Sequence, residues 1–164
     1  MARISFRTEH LFLLQERPVL LVRLLENYAR LLLLRQRRIR GVELAVTYRC
    51  QARCRHCLRL PLIDPRRKEL TPEEIRDVTG SLIRLGAMNI NLTGGEPLLR
   101  KDILEVVRQA RPDRCFLTLA TNGLALTLPL ARALRKAGIR MLSLSLDAPD
   151  PEGHDSRRGM AGSY

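Results

Sequence analysis

Cys50-Gln51-Ala52-Arg53-Cys54-Arg55-His56-Cys57 gathers three of the four cysteines of the chain into eight residues. Thiolates this close can converge on one centre. Iron–sulfur clusters are held by thiolates, and three cysteines on a four-iron cluster leave one iron open for a ligand and for chemistry. A structural zinc site instead needs four closed ligands. Read alone, the stretch leaves both open, because Cys54 and Cys57 have the spacing of a zinc knuckle and Cys50 supplies a third ligand. The zinc reading lacks its fourth: His56 adjoins Cys57 and would turn to the same metal with difficulty. Cys115 is distant, lies in an apolar run and reads as a buried core thiol. A disulfide fits poorly, since such spacings suit metal binding in a reducing compartment.

Working outward, Gly41 marks a break, and Val42 to Thr47 (VELAVT) is short, apolar and β-branched in places, as a strand is. It runs straight into Cys50, so the cysteines sit on the loop at the carboxyl end of the first strand. Arg49, Arg53, Arg55 and Arg59 surround that loop, either lowering thiolate pKa values beside an anionic cluster or standing as solvated charges. Thr71-Pro72-Glu73-Glu74 is a capping box with proline at the first helical position, and Leu70 and Ile75 form its hydrophobic staple. Ile75, Val78, Leu82 and Ile83 give that helix its buried stripe, and Gly86 ends it. Met88 to Thr93 (MNINLT) is a second strand, followed by Gly94-Gly95-Glu96-Pro97. The two glycines allow close backbone approach to a ligand or positive φ, and Glu96 can accept hydrogen bonds from a cationic amine. Taken alone, the tetrapeptide is an ordinary glycine turn.

The pattern repeats. Asp102 to Ala110 reads as helix, with Ile103, Val106 and Val107 inward. Cys115 to Ala120 (CFLTLA) is a third strand ending in Thr121-Asn122-Gly123. Thr127 caps a third helix carrying Leu128, Leu130, Leu134 and Ala137, with Gly138 after it. Arg140 to Leu146 (RMLSLSL) is a fourth strand with Asp147 at its end. Strands alternating with helices imply a parallel α/β sheet with right-handed crossovers. In barrel-like folds of this kind the active site lies at the carboxyl ends of the strands. The four motifs, Cys50–Cys57, Gly94–Pro97, Thr121–Gly123 and Ser145–Asp147, all fall there.

Three clustered cysteines, with Gly-Gly-Glu-Pro one βα unit later, resemble the radical S-adenosylmethionine (radical SAM) enzymes. The resemblance implies a [4Fe–4S] cluster on Cys50, Cys54 and Cys57, its fourth iron chelated by the amino acid end of S-adenosylmethionine. It places Gly94, Gly95, Glu96 and Pro97 at the amino group of the methionyl moiety. His56 takes the position before the third cysteine, near the adenine, where the family usually has an aromatic residue. Thr121 and Asn122 would lie near the cofactor. The stretch SLDAPDPEGHDSRRG resembles the family's fourth-strand region, with Ser145 and Arg158 on the cofactor ribose and carboxylate. Asp147 would support the ribose or cap the loop, and His154 and Asp155 would order the loop. In the family an electron from the cluster breaks a carbon–sulfur bond, and a 5′-deoxyadenosyl radical takes hydrogen from a substrate. An electron donor such as flavodoxin or ferredoxin and a reducing cytoplasm go with that chemistry. The substrate stays open between a peptide and a cofactor precursor, and no catalytic side chain is named.

The implied fold is a partial (β/α)6, TIM-like barrel, of which four strands can be counted. The resemblance covers 42–164, an incomplete core, and leaves 1–41 as an amino-terminal helical extension. A sheet cut after its fourth strand exposes an edge, so a missing carboxyl-terminal part or a partner chain is expected to complete it. The competing functions are a non-catalytic zinc or nucleic-acid-binding module and an inactive partial barrel.

The rest of the composition narrows these. The chain has 164 residues and is 45% hydrophobic, enough for a core, with only 4% aromatics. Its net charge is +12, and since only Lys68, Lys101 and Lys136 are lysines, arginine makes up the rest of the 29 basic groups. The arginines are scattered and aromatics for base stacking are scarce, which argues against nucleic acid. Leu11 to Arg38 reads as helix broken by Pro18, with Leu20, Leu21, Leu24, Leu25, Tyr28, Leu31 and Leu32 at helical spacing. Arg23, Glu26 and Arg30 interrupt them, so this is not a membrane span. The basic tail Arg35, Arg37, Arg38 and Arg40 invites a membrane-surface reading. Amphipathicity favours a helix packed on the outside of the fold. The first apolar run has no small-residue cleavage site after it, so no secretory signal is read.

Overall fold

A computed structural model describes residues 18–58, 64, 66 and 68–164. Its elements are α1 (Pro18–Leu32), β1 (Gly41–Thr47), α2 (Pro72–Arg84), β2 (Asn89–Gly94), a 3-10 turn (Pro97–Leu99), α3 (Ile103–Gln109), β3 (Phe116–Thr121), α4 (Leu128–Ala137), β4 (Ile139–Leu144) and α5 (Pro151–Arg158). The four strands lie in the order β1-β2-β3-β4 and pair in parallel throughout.

Alternation along each strand gives the sheet two unlike faces. Val42, Ile90, Leu117 and Ile139 pair in one row, and Leu44, Leu92, Leu119 and Leu142 in the next. These rows join Ile75 of α2, Ile103, Val106 and Val107 of α3 and Leu134 of α4 in the apolar core. The opposite face is small and polar. Glu43 pairs with Asn91 and Asn91 with Thr118, whose hydroxyl donates to Asn91 Oδ1 at 2.9 Å. Parallel strands are usually apolar on both faces, so a polar inner face marks space kept for something other than packing.

Local signals set the helix ends. Thr71 Oγ1 accepts from the Glu74 amide at 3.2 Å, while Glu74 Oε2 accepts from the Thr71 amide at 2.8 Å, closing the expected capping box of α2. Thr127 Oγ1 caps α4 through the Leu130 amide at 3.3 Å. Helix α5 was not expected. Its signals are present nonetheless: Asp150 caps it through the Gly153 amide at 2.7 Å, Pro151 opens it and Gly159 closes it. β4 ends two residues earlier than its alternating pattern implied, which frees Ser145, Leu146 and Asp147 to turn over the strand ends.

The amino-terminal helix departs from expectation. The stretch from Leu11 up to Pro18 lies outside the described residues. From there α1 starts on Pro18, where a proline fits the first turn, and stops at Leu32. Of the anticipated apolar stripe, Leu20 is buried, Leu21, Leu24 and Leu31 are half-buried, and Leu25, Tyr28 and Leu32 are exposed, while Arg23 outside the stripe is buried. The docking is largely polar. Arg23 donates to the carbonyls of Arg114, Ile83 and Ala87, and Asn27 to that of Gly86 at 2.8 Å. Arg38 Nη2 reaches the Arg84 carbonyl at 2.9 Å. Several of these acceptors are carbonyls at or just past the end of α2, which lack partners within their own helix. Among the described residues no helix is long and apolar enough to cross a membrane.

Candidate active site

A cavity of about 410 Å³ opens at the carboxyl ends of the strands, within the range of small-molecule sites. Every strand end contributes to its wall. Cys50, Cys54, His56 and Cys57 come from the loop after β1, and Gly94, Gly95 and Glu96 from the end of β2. Thr121 and Asn122 follow from β3, and Ser145 and Arg158 from the segment after β4. Of the residues anticipated to hold the cluster or the cofactor, only Pro97 and Asp147 stay out of the wall. Pro97 is buried at the start of the 3-10 turn. Asp147 stands behind the wall, with Oδ2 2.8 Å from Arg158 Nε and 3.5 Å from His56 Nε2. His154 Nδ1 accepts from the Asp147 amide at 3.1 Å, and Asp155 accepts from the amides of Gly162, Ser163 and Tyr164.

The two glycines do something other than leave room for a ligand. The Gly95 amide donates to the Thr47 carbonyl at 2.9 Å and the Glu96 amide to the Arg49 carbonyl at 2.7 Å. Gly94 sits at φ 129°, a conformation suited to glycine. A Cβ on Gly95 would collide with the Arg49 carbonyl oxygen and lie 2.6 Å from its carbon. The pair thus splices the end of β2 onto the backbone that leads into Cys50.

Glu96 is likewise engaged by the protein itself. It is 1% exposed. Its Oε1 accepts from the Leu98 amide at 3.0 Å and the Thr121 hydroxyl at 2.7 Å, and its Oε2 from the Asn122 amide at 2.7 Å. The carboxylate ties β2 to β3, and the Thr121 hydroxyl points into it rather than into the cavity. Glu96→Gln would set an amide NH2 against one of these donors. An unsatisfied buried group of this kind costs about 2 kcal/mol. Thermal unfolding should show Tm lowered by about 4–8 °C, and an unchanged Tm would mean the carboxylate is not the tie.

A second latch comes from far along the chain. The Arg53 amide donates to the Arg158 carbonyl at 3.1 Å and the Arg55 amide to the Arg157 carbonyl at 3.0 Å. Arg158 Nη1 lies 3.5 Å from Cys54 Sγ, both residues being buried. The arginines nearest the cysteines in sequence are placed differently. Arg49 forms a two-pronged pair with Glu69 at 2.9 and 3.0 Å, Arg53 and Arg55 are exposed, and Arg59 lies outside the described residues. Burial pushes Glu69 up, but hydrogen bonds from Arg49 and Thr47 and the charges of Arg49 and Arg100 outweigh it and hold the carboxyl below its ordinary range.

The Cys50 thiol is not made acidic in advance. Burial pushes the Cys50 thiol up, a hydrogen bond with the Ala52 backbone opposes it, and Glu96, Cys54 and Cys57 add to the rise. A bound cation inverts that balance by favouring thiolate. Among the described residues no three His, Cys, Asp or Glu side chains are grouped as for one metal ion. The wall also carries an unused donor. Asn122 Oδ1 accepts from the Leu124 amide at 3.1 Å, which fixes the side-chain amide, and its Nδ2 is buried without a partner. A polar occupant of the cavity fits that donor, and three thiols on one side fit a thiophilic metal centre.

Sequence reading missed Glu43, Ala52, Leu58, Thr93 and Ala120, which also line the cavity. A signal for Glu43 existed: one carboxylate inside an otherwise apolar strand, one residue out of phase with Val42 and Leu44 on the packed face, has to point to the opposite, inner face.

Comparison with known proteins agrees with this geometry. The family model described as the radical SAM superfamily matches residues 44–164. A GTP 3′,8-cyclase of Acidothermus cellulolyticus is 42% identical over 123 residues, covering 70% of this chain and 34% of that protein. The corresponding protein of Marinobacter nauticus is 43% identical over 119 residues, covering 71% and 36%. The chain therefore spans about a third of the length of these curated relatives. Among solved structures, BtrN in complex with AdoMet and 2-DOIA aligns with TM-score 0.60 and 24% identity, over 74% of this chain and 50% of that one. Streptococcus suis SuiB bound to precursor peptide SuiA aligns with TM-score 0.67 and 17% identity, over 83% and 31%. Both likenesses show the fold, a four-stranded part of a TIM-like α/β barrel. The match over 44–164 shows more: this chain belongs to the radical SAM superfamily, whose cofactors are a [4Fe–4S] cluster and S-adenosylmethionine.

Proposed function

We propose that 42–164 supply the cluster-binding and cofactor-binding part of a radical SAM enzyme, with 1–41 as an amino-terminal extension. The observation that carries this reading is a single cavity walled by three cysteines, the Gly94-Gly95-Glu96 turn and the Ser145 and Arg158 side chains. Cys50, Cys54 and Cys57 would ligate three irons. Three cysteines lining one cavity suit a cluster with one open iron better than the closed four-ligand site of structural zinc. When bound, cluster and cofactor supply a 5′-deoxyadenosyl radical that abstracts hydrogen from a substrate.

The protein's work is placement. The edges of Gly94 and Gly95 would meet the methionyl amine, while Glu96 holds those edges and Asn122 in position. The free Asn122 amide and Ser145 would donate to the nucleoside part, and His56, steadied by Asp147, would lie against its adenine. The low-potential electron comes from a donor such as flavodoxin or ferredoxin, in a reducing cytoplasm. The substrate class favoured by the relatives at 42–43% identity, named for GTP, is a guanine nucleotide. The peptide-bound likeness at 17% identity speaks for the fold alone.

Anaerobic reconstitution tests the reading. About four iron and four sulfide per chain are expected, followed by release of 5′-deoxyadenosine on addition of dithionite and S-adenosylmethionine. One zinc per chain, with neither iron nor sulfide, would overturn it.

A further inference from the structure

Arg158 touches the protein at a place that a role on the cofactor carboxylate does not require. Its Nη1 lies 3.5 Å from Cys54 Sγ, within reach of an N–H···S hydrogen bond. Cys54 is 7% exposed and Arg158 8% exposed, so the contact is shielded from water. Arg158 is held at its side chain and at its backbone. Asp147 Oδ2 stands 2.8 Å from Nε, and the Arg158 carbonyl accepts from the Arg53 amide at 3.1 Å, one residue before Cys54. The arginine is therefore locked to the loop whose sulfur it addresses.

We infer that Arg158 sets the reduction potential of the cluster through the Cys54 sulfur. The inference rests on the proposed function, since it takes Cys54 as a ligand of iron. Reduction adds one electron, taken from a low-potential donor, to a centre whose charge is shared with its thiolate sulfurs. A hydrogen bond and a buried positive charge at one sulfur favour the more negative, reduced state. Asp147 returns part of the negative charge but lies on the Nε side, away from the sulfur. Arg158 is thus a positioning residue for electron entry, independent of any contact with the cofactor.

The test is a mediated redox titration of the reconstituted chain, followed by electron paramagnetic resonance and run without S-adenosylmethionine. With the cofactor absent, a role on its carboxylate cannot move the reading. Arg158→Met should lower the reduced-to-oxidised ratio at a fixed poise about tenfold, equivalent to about 59 mV more negative for a one-electron couple. Arg158→Lys keeps the charge but loses the fork, and should fall between the two. A Met variant with wild-type cluster content and an unshifted or raised midpoint overturns the inference. If the Met variant holds no cluster, the Lys variant decides, and a wild-type midpoint there overturns it. A wild-type chain that takes up no iron or sulfide overturns the proposed function first, which is a different result.

Discussion

Gly95→Ala is expected to unfold the site while leaving every cysteine in the chain. The added methyl would meet the Arg49 carbonyl, a backbone group held in place by the Glu96 amide, and would lie 3.1 Å from Cys50 Cβ. No flexible side chain can yield there, so the loop into Cys50 has to move. Overpacking against fixed backbone costs about 3 kcal/mol, or about 6–12 °C in Tm. Iron uptake should fall with it, because the displaced loop carries all three proposed ligands. Gly41→Ala is the control: its nearest neighbour would be the Asn89 carbonyl at 3.9 Å, and Tm should stay within about 2 °C of wild type. Equal melting curves for the two variants would mean that the splice between β2 and the cysteine loop does not bear on stability.

The second large effect separates the four cysteines. Alanine at Cys50, Cys54 or Cys57 should reduce iron and sulfide after reconstitution to background, from about four of each. Alanine at Cys115 should leave both unchanged. That thiol is fully buried in the core and lies 3.3 Å from the Arg111 carbonyl, on the packed face and away from the cavity wall. Its loss should register as about 1 kcal/mol of stability instead. Full iron loading in Cys54→Ala would remove the basis for both the ligand assignment and the role given to Arg158.

Much of this arrangement was legible because each signal was local. Three cysteines, two glycines and a capping box each occupy a few adjacent positions, and the alternation of strands and helices put them at one rim. What was not legible depends on partners distant along the chain. Nothing in the sequence around Glu96 says that its carboxylate receives the Thr121 hydroxyl and the Asn122 amide. Arginines beside the cysteines read equally as their electrostatic partners or as solvated charges; Arg53 and Arg55 are exposed, Arg49 is held by Glu69, and the guanidinium at Cys54 comes from Arg158. The stripe of α1 misled for a related reason. Leucine spacing implies an apolar contact, whereas Arg23 and Asn27 dock the helix by filling carbonyls at the end of α2. Helix α5 hid inside a stretch read only for its likeness to a motif, although Asp150, Pro151 and Gly159 bracket it.

The latch between Arg158 and the loop around Cys54 spans 104 positions of chain, which bears on the order of events during synthesis. A ribosome delivers residues one by one from the amino terminus, so the ligand loop emerges well before its clasp. Until α5 has formed, Arg53 and Arg55 lack the carbonyls that fix their amides, and closing so long a loop is entropically slow compared with local folding. Metal delivery that waits for the clasp would meet a finished nest, whereas earlier delivery would meet three sulfurs on an open tether.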